Sequence, residues 1–189
     1  MTLLIIGLVL FLGMHSISIV AEGFRDSVAA KSDLGWKAIY GVVSLLGLFL
    51  IIKGYGAARL EPVFLYTLPV GLRHLSALLM LPVFILFFAP YFPGRIKTAT
   101  KHPQLIAVKL WAVAHLLVNG TVADVILFGS FLAWAVADRI SLKRRTVRAI
   151  PGAPESALND VILIVLGLGA YVAFALWAHA AWIGVAPFG

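Results

Sequence analysis

The 189-residue chain has no cysteine. That removes disulfides, thiolate metal ligands, iron–sulfur clusters and cysteine nucleophiles from its chemistry. Charge is nearly as scarce, at 12% of residues, against about 25% in soluble domains. Acidic groups are the rarer sign: eight Asp and Glu face fifteen Lys and Arg, for a formal charge of +7. Familiar catalytic signatures are missing too. There is no Gly-rich phosphate loop and no His-Glu-x-x-His, and Gly129-Ser130 sits inside an apolar run with nothing resembling a triad around it. What fills the chain instead is apolar: 62% of residues are hydrophobic and mean hydropathy is +1.03. An ordinary water-soluble globule does not have this composition. The reading is an all-α, polytopic membrane helix bundle, a single domain over residues 1–189, with membrane lipid as its first partner.

A spanning helix needs about 20 mostly apolar residues. Six stretches approach that: 1–24, 36–52, 72–91, 103–118, 122–136 and 161–185. The first lacks a basic leader and a good cleavage site, so it reads as an uncleaved span. In the second, Gly41, Ser44 and Gly47 form a small-residue stripe that lets a neighbouring helix come close. Residues 60–71 are apolar but short and carry Pro62 and Pro69, which predicts an interfacial or re-entrant segment. Pro82 predicts a kink in the third span, Pro103 suits the first turn of the fourth, and Asn119-Gly120 marks a tight turn after it. With six spans, Arg25, Lys31, Lys37, Arg95, Lys97, Lys101, Arg139, Lys143, Arg144, Arg145 and Arg148 fall on one side. Only Lys53, Arg59 and Arg73 fall on the other. The positive-inside rule then puts both termini on the outer side. It also accounts for the basic charge as a topology signal, with no nucleic acid partner.

The residues that invite chemistry are the five histidines. His15, His74, His115 and His179 fall inside expected spans and His102 at a span edge, and ionisable groups within a bilayer are costly enough to suggest function. Counted from the cytoplasmic side, His15 lies about 13 Å deep and His115 about 18 Å deep at ~1.5 Å per residue. That difference is smaller than the slack in where helix ends fall, so the two rings share a level near mid-membrane. Two imidazoles facing across a bundle make natural axial ligands for the iron of a haem. The plainer alternative stays open: each histidine hydrogen-bonds across a helix interface. Trp111, His115 and Asn119 share one helical face at i, i+4 spacing, giving an aromatic wall, a ligand and a polar group. Leu8, Phe11, His15, Ser18 and Glu22 align along another face, with Ser18 or a backbone carbonyl available to orient the His15 ring. His74 and His179 form a weaker outer pair. His102, at a helix start, reads as structural, and His179, between Trp177 and Trp182, as an aromatic-belt residue. Arg59 and Arg73 face either haem propionates or lipid headgroups, Lys109 snorkels, and Asp124 is an ordinary helix-start carboxylate.

Leu12-Gly13-Met14-His15-Ser16 in the first span resembles the NnrU family. So do His102-Pro103-Gln104-Leu105, the run Leu110-Trp111-Ala112-Val113-Ala114-His115-Leu116-Leu117-Val118-Asn119-Gly120, and Phe128-Gly129 in the span that follows. The resemblance covers nearly the whole chain. That family is similar to the plant 15-cis-zeta-carotene isomerase, an integral membrane b-type haem protein, and its bacterial members are associated with denitrification. The resemblance implies haem b held by His15 and His115, with Trp111 and Asn119 beside the cofactor, in a bacterial inner membrane. It further implies either cis–trans isomerisation of a hydrophobic polyene, or a non-enzymatic sensor or assembly role in nitrite and nitric oxide reduction.

Overall fold

Long apolar runs without water to solvate the backbone close their hydrogen bonds locally, as helices. The computed structural model, which describes residues 1–188, is built of helices joined by irregular segments. Its helices are α1 (Thr2–Val20), α2 (Glu22–Lys31), α3 (Asp33–Ala58), α4 (Leu72–Met80), α5 (Val83–Phe88), α6 (Arg95–Thr100), α7 (Pro103–Leu116), α8 (Val122–Ser141), α9 (Leu158–Ala173) and α10 (His179–Ile183). A 3₁₀ turn follows α5 at Ala89–Tyr91, and a π-helical turn, Phe174–Ala178, links α9 to α10.

Four segments are long and apolar enough to cross a membrane: Thr2–Val20, Asp33–Ala58, Leu72–Tyr91 and Leu158–Ile183. Their large apolar side chains are widely exposed, among them Val9, Val42, Leu45, Val165 and Leu176. A soluble monomer does not show apolar surface on this scale; this is a membrane protein, and these faces meet lipid. The other two expected spans are helices with different credentials. The 14-residue α7 reaches only about 21 Å at ~1.5 Å per residue, short of a hydrocarbon core of about 30 Å. The 20-residue α8 carries Asp124, Asp138 and Arg139. As Pro82 predicts, the third span breaks between α4 and α5.

The chain divides into two compact units. The first comprises Met1–Tyr66 and Gly120–Thr146. Here α1 lies against α3 in near backbone contact. A Cβ on Gly7 would sit 2.6 Å from Ile51 N, and one on Gly47 would sit 2.7 Å from Phe11 N. One on Gly54 would collide with the backbone of Leu3 and Leu4. Gly47 and Gly54 are two turns apart on one face, which is how helices associate where lipid cancels the hydrophobic drive. The small-residue stripe therefore runs through Gly47 and Gly54; nothing lies within 4 Å of a Cβ on Gly41.

The segment expected to be interfacial is extended. Phe64 bridges Thr121, and Gly120 O accepts from Leu65 N at 2.8 Å. Beside it, Thr121 and Asp124 form a reciprocal capping box on α8. Asp124 is more than an ordinary helix-start carboxylate: it is buried and also accepts from Tyr55 Oη at 2.5 Å. At the other end of α8, buried Asp138 accepts from the Arg145 guanidinium at 2.5 Å. Glu22 lies beyond the break at Ala21 and starts α2, so it leaves the α1 face it was aligned with.

The second unit comprises Thr67–Asn119 and the chain from Val147 onward. Val83 and Leu86 of α5 pack on Ala107 of α7, with Met80, Ile106, Leu110 and Trp111 around them. Gly167 of α9 meets the backbone of Ile85. Asp160 accepts from Arg95 N and Ile96 N, and buried Asn159 donates to Pro93 O and Pro154 O at 2.8 Å.

Gly47→Ala should destabilise the detergent-solubilised protein by about 1–3 kcal/mol, the usual range for overpacking. Gly41→Ala should be neutral or stabilise by up to ~1 kcal/mol. Thermal unfolding measures both, and equal behaviour of the two variants would contradict the contact described.

Candidate functional site

His15 occupies an aromatic box in the first unit. Phe11 lies one turn before it, ring centres 4.2 Å apart and nearly parallel. Tyr40 of α3 stands 5.0 Å away, and Trp134 of α8 presents its edge at 5.8 Å. Phe131 closes on Phe11 at 5.7 Å. Within this box His15 Nδ1 lies 2.7 Å from Phe11 O. A carbonyl only accepts, so Nδ1 carries the proton and the lone pair of the neutral ring is on Nε2. The backbone carbonyl, rather than Ser18, orients the ring. Three polar side-chain atoms in this unit are buried with no hydrogen-bond partner among the described residues: Trp134 Nε1, Ser44 Oγ and Arg145 Nε. Buried donors are nearly always satisfied, so an orphaned indole N–H at a histidine box fits a site that receives a group with acceptor atoms.

His115 sits near the end of α7 in the second unit. Its Nδ1 lies 2.8 Å from Trp111 O, the same arrangement as at His15, again leaving the lone pair on Nε2. The Trp111 ring stands 5.4 Å away, and Asn119 donates to His115 O at 3.0 Å. The expected face of Trp111, His115 and Asn119 is thus realised. Asn119 touches the backbone of His115, which anchors the end of the helix. Ser76 of α4 donates to Ala114 O at 2.8 Å, tying the neighbouring residue across a helix interface.

Of the remaining histidines, His74 is exposed on α4, and His102 caps α7, the helix-start role expected of it. His179, expected to belong to an outer aromatic belt, stands with its ring 6.5 Å from that of His115, the planes 24° apart. The signal that finds it is the π-helical turn just before it, which an α-helical reading does not contain. Among the described residues no group of three or more His, Asp or Glu is arranged to hold a bare metal ion.

Fold and site together describe an all-helical membrane protein in which His15 and His115 each donate Nδ1–H to the carbonyl one turn back. The family model for NnrU protein matches residues 3–187. The chain belongs to the NnrU family. No curated protein and no solved structure matches it.

Trp134→Phe removes an unpaired buried donor whose desolvation costs about 1–3 kcal/mol. The haem-free variant should melt at or above the parent temperature. Trp134→Ala deletes the wall against His15 and should cost about 3–5 kcal/mol. A similar loss in both variants would mean that the N–H has a partner after all.

Proposed function

We propose that this protein is a membrane haem b protein that ligates iron through imidazole Nε2 atoms, and that it isomerises a cis double bond of a polyene dissolved in the bilayer. The observation that carries the haem reading is the common state of His15 and His115. Each donates Nδ1–H to the carbonyl one turn earlier, the orientation in which a histidine presents a basic nitrogen to a metal. The donor set also suits the group: aromatic walls flank both rings, and a porphyrin iron asks the protein for axial ligands alone. The resemblance implies His15 and His115 as the ligands, and each would offer Nε2 within its own unit.

Bound haem would supply the iron-centred electronics for rotation about a conjugated double bond. The chain's own residues do the rest. Trp111 packs against His115 on one side of the ring, the Trp111 carbonyl keeps the proton on Nδ1, and the apolar helices keep water out and admit a lipid-soluble substrate. The resemblance to the plant isomerase supports this reaction. On this reading the membrane is a bacterial inner membrane, with the cationic loops in the cytoplasm and both termini outside.

Protein purified in detergent from haem-sufficient cells should show a Soret band that His115→Ala abolishes or shifts. Colourless wild-type protein would end the haem reading. Membranes given a poly-cis carotene should yield isomerised product; haem-loaded membranes that leave it unchanged would instead favour the non-enzymatic role in nitrogen-oxide reduction.

A further inference from the structure

The helices of the first unit bring their ends to a common level. Phe131 and Trp134 of α8 meet Phe11 and His15 of α1, so these two helices run parallel. Tyr40 of α3 meets His15 and Gly47 meets Phe11, so α3 runs the opposite way. His15, Tyr40 and Trp134 therefore mark one height. Five residues further out, about 7–8 Å at ~1.5 Å per residue, stand Val20, Gly35 and Arg139. There the apolar span α1 ends and the polar helix α2 begins, while α3 is in its first turn. On α8, Val136 and Ile140 are exposed, so the lipid-facing surface reaches this level. It is the edge of the hydrocarbon.

This end of the unit carries seven Lys and Arg against four Asp and Glu. The acids are already engaged. Asp26 pairs with Arg25, Asp33 with Lys37 and buried Asp138 with Arg145, and Glu22 accepts from Thr146 N at 3.2 Å. Arg139, Lys143 and Arg144, with Lys31, form no ion pair among the described residues. The opposite end is balanced, with Lys53 and Arg59 against Glu61 and Asp124.

The chain coils on past Ser141, with Lys143 N bonded to Ile140 O and Arg144 N to Ser141 O. Arg139 and Lys143 are thus one turn apart, a spacing at which like charges repel. The carbonyl end of α8 offers only about half a negative charge to three full positive ones. A topology signal asks that cations lie on one side; it does not ask that they gather on one turn without counter-ions. Lys143 and Arg144 are exposed and reach about 6–8 Å beyond Arg139 at ~1.5 Å per residue. The headgroup layer on each side of a bilayer is about 5–8 Å thick. The three cations occupy the layer in which lipid phosphates lie.

We infer that this end of the first unit is a binding surface for anionic phospholipids, whose phosphates supply the missing counter-ions of Arg139, Lys143 and Arg144. The surface is independent of the haem reading.

The test reconstitutes the full-length protein in phosphatidylcholine vesicles with a trace of spin-labelled phosphatidylglycerol or phosphatidylcholine. Electron paramagnetic resonance then reads the motionally restricted fraction of each label. Wild type should prefer phosphatidylglycerol by at least about 3-fold. Changing Arg139→Gln, Lys143→Gln and Arg144→Gln together should remove most of that preference with helical circular dichroism unchanged, and Lys53→Gln at the opposite end should keep it. Raising salt from about 0.05 M to about 0.5 M should weaken the wild-type preference, a reading that depends on no variant folding. Inorganic phosphate at matched ionic strength should leave the lipid bound. The inference is overturned by a wild type without preference, by a preference that resists salt, by a triple variant that retains it, or by its loss in Lys53→Gln. Displacement by inorganic phosphate would make this a site for the free anion and overturn the lipid assignment.

Discussion

A polar atom among apolar helices has little water to turn to, and His15, His115 and His179 share one arrangement: Nδ1 donates to a main-chain carbonyl. For His15 and His115 the acceptor is the carbonyl one turn back, which retains a second lone pair for the helix bond. The hydrogen bond fixes three things together. It satisfies one nitrogen, limits rotation of the ring, and selects the tautomer whose basic atom is Nε2. A histidine serving only as a bridge across a helix interface would more naturally use its outer nitrogen on the neighbour.

Packing in the first unit is made possible by missing side chains. Gly7, Gly47 and Gly54 let the backbones of α1 and α3 meet, and dispersion between closely matched surfaces is what remains when lipid is as apolar as the helix. Close approach also carries the His15 box, because Phe11 sits against Gly47 one turn before His15. The same unit holds three buried atoms without partners among the described residues, Trp134 Nε1, Ser44 Oγ and Arg145 Nε. At the start of α8 the polar groups are satisfied instead, by a complete Thr121–Asp124 box and the Tyr55 hydroxyl.

In the second unit the histidine-bearing segments are held by bonds between helices. Ser76 ties α4 to the carbonyl of Ala114, and Tyr171 of α9 donates to Ala77 O at 3.1 Å. Both bonds end on α4, one turn or less apart, so α4 couples the helix carrying His115 to the one that leads into His179. Gly167 lets α9 press on Ile85 just beyond the Pro82 break. The proline that interrupts the third span thus has a packing role: it ends α4 where α5 must turn to meet α7 and α9.

Hydropathy is what a sequence of this kind displays, and it was legible. The helical class, four of the six expected spans, the break at Pro82, the helix start at Pro103 and the face shared by Trp111, His115 and Asn119 follow from apolar run length, proline chemistry and i, i+4 spacing. Azimuth was legible only where the helix is regular. The Gly41–Gly47 stripe assumed that the nearest small residues act together, whereas contact selects Gly47 and Gly54. Asp124 looked ordinary because its second partner, Tyr55, is 69 residues away. His179 looked peripheral because depth along an ideal helix was the only coordinate available, and one inserted residue at Phe174–Ala178 changes direction by about a quarter turn or more while barely changing depth. Along a membrane helix a ligand is defined by height and by bearing. Composition reveals the height, and the bearing depends on main-chain irregularities that leave no mark in hydrophobicity.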